Sequence, residues 1–175
     1  MVAQGLTHLA TSQARYPADS WLVVKEWSAA DLQPGEALLE RLLRHPEYAD
    51  TYLHVEAATD GGRFFVDDPD LFHGPFRVRH MSPDDYADAT LDDLLQELDG
   101  WTQQYAEGVR DGTPELRHIA VGSEPAEVVH VWRLETATLP DHVARFVYSG
   151  WLEYVVCLRD VDGGLRLRVI AASGD

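Results

Sequence analysis

Residues 151–171, WLEYVVCLRDVDGGLRLRVIA, decide the fold. Residues 151–159 and 165–171 are rich in aromatic and β-branched side chains, and each run has the length of one strand. Between them stands Val161-Asp162-Gly163-Gly164. An Asp-Gly pair between two apolar runs predicts a hairpin, because tight hairpin turns need positive φ, which glycine adopts without a Cβ clash. The C-terminal strands are therefore expected to be antiparallel neighbours. Leu165, Leu167 and Val169 alternate with Arg166, Arg168 and Ile170, so one face of this pair is partly basic.

Working outward, the same turn chemistry recurs at Thr59-Asp60-Gly61-Gly62, between apolar runs at 52–58 and 63–66. Further strands are predicted at 20–27, 75–80, 116–121 and 128–135, with Pro75 favouring an edge. Two helices stand out. In the first, Leu38, Leu39, Leu42 and Leu43 share one face, Ser28 and Asp31 have capping-box spacing, Pro34 suits the first turn, and Pro46 ends it. In the second, Leu91, Leu94, Leu95, Leu98, Trp101 and Tyr105 form an apolar stripe. Its start is predicted at Ser82-Pro83 or at Thr90, with Asp93 three residues on, and Gly108 or Gly112 ends it. Residues 140–148 read as a short helical turn.

Runs of strands rather than strict βα alternation give an α+β fold: a mainly antiparallel β-sheet with two principal helices packed on one face. A chain of 175 residues is one domain by length. That domain is expected over residues 20–175, with residues 1–19, which lack a clear period, as a loose N-terminal arm.

The formal net charge is −16. Residues 51–115 hold four basic and fifteen acidic side chains, so −11 of that charge lies in the middle third. Between Arg79 and Arg110 there is no Lys or Arg. Such a field repels nucleic acid and anionic membranes and attracts basic partners or cations. It also keeps a protein dispersed with no partner at all. Cys157 is the single cysteine, so no internal disulfide is possible. No charged segment followed by an apolar run opens the chain, and no stretch approaches the roughly 20 apolar residues of a bilayer span. A cytoplasmic protein is expected.

No motif fixes a reaction. Cys157 sits in an apolar run, as a small core hydrophobe does. There is no Gly-x-Ser-x-Gly, no phosphate loop and no dinucleotide fingerprint. The loop Asp67-Asp68-Pro69-Asp70-Leu71-Phe72-His73 has the oxygens for a hard cation but not the spacing of a calcium loop. Neither metal nor cofactor is indicated. The leading expectation is an acidic protein-binding module of the inhibitor, immunity or regulatory kind. Asp84, Asp85, Asp88, Asp92, Asp93, Glu97 and Asp99 would line a negative helix that docks on a basic partner. The alternative is a ligand pocket, or an enzyme, built on the C-terminal aromatics Trp132, Phe146, Tyr148, Trp151 and Tyr154. His118, His130 and Glu153 are its polar candidates; the two histidines face each other only if their neighbouring predicted strands pair in the register that sets 118 opposite 130, and an odd register sends them to opposite faces. A homo-oligomer is compatible with either reading.

Overall fold

The computed structural model describes residues 5–16, 20–29, 32–49, 72–105, 113–139 and 150–174. They form an α+β fold around one six-stranded antiparallel sheet. In chain order its strands are β1 (Thr7–Tyr16), β2 (Ser20–Ser28), β5 (Tyr86–Ala89), β6 (Ala126–Leu134), β7 (Gly150–Asp160) and β8 (Leu165–Gly174). Their spatial order is β1-β2-β8-β7-β6-β5. A separate two-stranded ribbon joins β3 (Phe72–His73) to β4 (Phe76–Arg77).

The C-terminal hairpin forms as its sequence predicts. Asp160 N–H donates to the Gly164 carbonyl, and Gly163 N–H donates to the Asp160 carbonyl, both at 2.9 Å. Gly163 stands at φ +87°. This hydrogen-bond pattern belongs to a type I turn followed by a left-handed glycine, a longer loop than the two-residue turn that Asp-Gly first suggests.

Strand alternation sends side chains to two cores. On one face, Trp27, Trp132, Leu134, Val155, Cys157, Leu167 and Val169 pack with α1 (Glu36–Leu43), through Leu38, Leu39, Leu42 and Leu43. On the other, Leu22, Val24, Val131, Val156, Leu158 and Ile170 pack with α2 (Leu91–Tyr105) and α3 (Thr113–Val121). Two helices do share a face, but the pair is α2 and α3. The leucine helix α1 covers the opposite face, so every central strand is buried on both sides.

Three local expectations are corrected. Residues 7–16, read as a loose arm, form edge strand β1, paired with β2 from Thr7 opposite Ser28 to Tyr16 opposite Ser20. Residues 116–121, read as a strand, lie in helix α3. The missed signals are helical: Pro114 and Glu115 in the first turn, Leu116, Ile119 and Ala120 at i, i+3 and i+4, and Gly122 as a left-handed stop at φ +83°. Residues 82–105, read partly as one helix, are divided. Ser82 opens a short turn Pro83–Asp85, strand β5 follows, and α2 starts only after Thr90. Residues 52–66 and 140–148 lie outside the described residues.

Gly74 occupies the β3–β4 turn at φ +54°, and a Cβ there would overlap the Trp151 ring. Trp151 is held edge-on to both His73 and Phe76. Gly74→Ala is therefore expected to destabilise the protein by about 2–4 kcal/mol, combining left-handed strain with a displaced ring. Urea unfolding followed by tryptophan fluorescence measures this, and an unchanged midpoint would contradict it. Cys157 is fully buried, and burial pushes its thiol up to about 11. Native protein at neutral pH should react with iodoacetamide many times more slowly than the urea-unfolded chain.

Candidate functional site

The seven acidic candidates do not form one surface. Asp92, Asp93, Glu97 and Asp99 lie on α2, whereas Asp84 and Asp85 lie in the turn before β5 and Asp88 lies within β5. Asp88 pairs in register with Trp132, so its side chain emerges on the α1 face of the sheet, opposite α2. There it accepts from His130 Nε2 at 2.7 Å, and the His130 ring stacks on Trp132 at 4.2 Å.

Several of these carboxylates have local duties. Asp85 accepts from the Ser82 amide at 2.8 Å and closes the turn's capping box. Asp93 accepts from the Thr90 amide and hydroxyl at 2.8 and 2.6 Å, while its own amide donates back to the hydroxyl at 3.1 Å. These hydrogen bonds from Thr90 hold the Asp93 carboxyl below its usual value. Glu97 pairs with Arg133 Nη2 of β6 at 2.8 Å. Asp84, Asp92 and Asp99 remain exposed, Asp99 accepting from Gln103 one turn on. The outward face of α2 is thus a narrower negative strip than the sequence alone implies.

The second site is buried and was only partly anticipated. Glu153 points from β7 to the α1 face, since its strand partner is Ala171 and its alternates are Trp151 and Val155. Its side chain is 0% exposed, as is that of His73. Glu153 Oε1 accepts from the Tyr48 hydroxyl at 2.8 Å and the Tyr86 hydroxyl at 2.7 Å. Glu153 Oε2 faces His73 Nε2 at 2.7 Å. The His73 ring also stacks on Tyr48 at 4.1 Å.

Proton counting defines the chemistry. His73 Nδ1 lies 2.8 Å from the Tyr48 carbonyl, which only accepts, so Nδ1 carries a proton. One further proton sits between Nε2 and Oε2. The pair is therefore an imidazolium beside a carboxylate, or a neutral imidazole beside a carboxylic acid. Tyr48 and Tyr86 oxygens also lie 2.7 Å apart, so two phenolic protons serve three oxygen–oxygen contacts. Burial, and then the Glu153 carboxylate, raise both phenols well above their ordinary value. A carboxyl, an imidazole and two phenols in contact can pass a proton among themselves.

Tyr48 is the hub, because its backbone binds as well. Its carbonyl, with those of Glu47 and Ala49, accepts from the buried Lys25 ammonium at 3.0, 2.8 and 2.9 Å. These carbonyls end the turn Pro46–Tyr48, so a cation there opposes their partial negative charge.

Of the alternative ligand residues, the structure brings Trp151 and Glu153 together with His73. Trp132 shares their core, with His130 half-buried against it. His118 is exposed on helix α3 rather than on a strand, so no strand register sets it opposite His130. Tyr154 faces the opposite core, and Phe146 and Tyr148 lie outside the described residues. The same holds for Asp67, Asp68 and Asp70 of the cation loop, whose His73 turns inward instead. Among the described residues no group of His, Cys, Asp and Glu is arranged to hold a metal ion, and no helix is long and apolar enough to cross a membrane. No protein-family model, curated protein or solved structure matches the chain.

Proposed function

We propose that the protein is an acidic binding module, of the inhibitor, immunity or regulatory kind, that docks on a basic protein partner through the outward face of α2. One observation carries this reading. α2 is a capped, rigid helix with Asp92, Asp93 and Asp99 exposed, in a segment with no Lys or Arg from residue 80 to residue 109. Carboxylates held on such an element steer a cationic surface and fix its orientation, raising association rate more than lifetime.

The test begins with a partner captured from the native lysate and washed at low and at high salt. Asp92→Lys with Asp99→Lys should then slow association at low salt by about tenfold or more, with little change at high salt. Asp93 is left intact because it caps the helix. An unchanged rate for this pair of reversals would remove α2 from the interface.

A second reading rests on the convergence of Tyr48, His73 and Tyr86 on Glu153, the arrangement of a proton-transfer centre or ligand anchor. A ligand present at 100 times its Kd should raise stability by roughly 2.7 kcal/mol. A metabolite panel read by thermal unfolding, on the native chain and on Glu153→Gln, tests it. A shift that Glu153→Gln abolishes favours this centre over the helix.

A further inference from the structure

The two outer edges of the sheet are unlike. β5 has four residues, carries Asp88, and leads within one residue into α2. Shortness and charge are the usual guards against a strand adding to an edge. β1 has ten residues, seven of them exposed and none buried. It contains no Asp, Glu, Lys or Pro, and Arg15 near its end is its one permanently charged residue, in a chain of net charge −16. Leu9, beside the bulge between His8 and Ala10, is 51% exposed, an unusual state for leucine here. Among the described residues, β2 is the only strand paired with β1.

We infer that β1 pairs antiparallel with β1 of a second copy, joining two sheets across a two-fold axis. A closed two-fold interface needs one self-complementary patch. A second copy offers a strand of the same length, equally free of carboxylates. Over most of their surfaces two such chains repel each other, so the field itself selects this strip for approach. Backbone hydrogen bonds and burial of Leu9 supply the attraction. Salt screens the repulsion and leaves those contacts intact, so the dimer strengthens as salt rises. That is opposite in sign to docking of a basic partner on α2, and the two readings can fail separately.

Sedimentation of the full chain across a concentration series, at low and high salt, tests the inference. A monomer–dimer equilibrium that tightens with salt is expected. Thr11→Glu with Gln13→Glu should weaken it by about tenfold through like charges facing across the new pair. Single cysteines placed through residues 9–14, with the buried Cys157 silent, should give disulfide-linked dimers at the positions nearest the axis. A monomer at every concentration and salt overturns the inference. So does a dimer that loosens with salt, or one that no β1 cysteine captures.

Discussion

Glu153→Ala is expected to destabilise the protein by about 3–5 kcal/mol, the scale for removing one partner of a buried, hydrogen-bonded charge. Alanine leaves the Tyr48 and Tyr86 hydroxyls and His73 Nε2 facing a void where two carboxyl oxygens stood. Glu153 and His73 are both 0% exposed in the native chain, so these groups lose their partner in a buried site. Glu153→Gln should cost less than about 1 kcal/mol. Its carbonyl accepts from the phenols, and its amide donates to Nε2 of a neutral imidazole whose Nδ1 keeps its proton for the Tyr48 carbonyl. The contrast between the two variants separates hydrogen bonding from charge. Urea unfolding followed by fluorescence reads both, and an alanine variant within 1 kcal/mol of the native chain would show that the cluster contributes little. The phenols add a pH dependence. Their folded values are raised above the unfolded 10.0, so their contribution is complete below about pH 10 and is lost as pH rises through the folded values. Burial is the larger cause, so this alkaline loss should persist in Glu153→Gln.

The parts of the fold that sequence reveals are those with local causes. The 151–171 hairpin, the α1 leucines and the α2 stripe each depend on residues within one turn or one strand of each other. So does the cap at Thr90 and Asp93. Helix α3 was legible too, but its short apolar run also fits a strand, and Pro114, Glu115 and Gly122 had to decide between them. The buried cluster is different in kind. Tyr48 and Glu153 are 105 residues apart, and the carboxyl, imidazole and phenols meet only when β7, β5, β3 and the turn after α1 are assembled. Only Glu153 announces itself, as a carboxylate in phase with Trp151, Val155 and Cys157 on the buried side of a strand. His73 sits among the aspartates of a loop and reads as a cation ligand until the fold turns it inward. The acidic surface fails for the opposite reason. Charge counts along the chain ignore strand alternation, which sends Asp88 to the face away from α2.

Lys25→Met should lower stability by about 2–4 kcal/mol, although methionine keeps the length and apolar stem of the side chain. Lys25 is the sole lysine of the chain and is almost wholly buried within β2, where it lies opposite Val169. Two large effects compete. Taking an ammonium out of water costs several kcal/mol, which methionine does not incur. Against that, hydrogen bonds to a charged donor contribute roughly 1.5–3 kcal/mol each, and Lys25 makes three to carbonyls of the described residues. The carbonyls decide the balance. Those of Glu47 and Ala49 are only partly buried and can recover water, whereas the Tyr48 carbonyl keeps the His73 Nδ1 proton when the ammonium goes. The loss is therefore smaller than three full hydrogen bonds but still positive. Lys25→Arg should not restore it, because a planar guanidinium cannot aim three N–H groups at carbonyls converging on one point. Urea unfolding of the native chain, Lys25→Met and Lys25→Arg measures the order. A methionine variant as stable as the native chain would mean that desolvation cancels the three bonds, and that Lys25 fixes where Tyr48 sits rather than how firmly the fold holds.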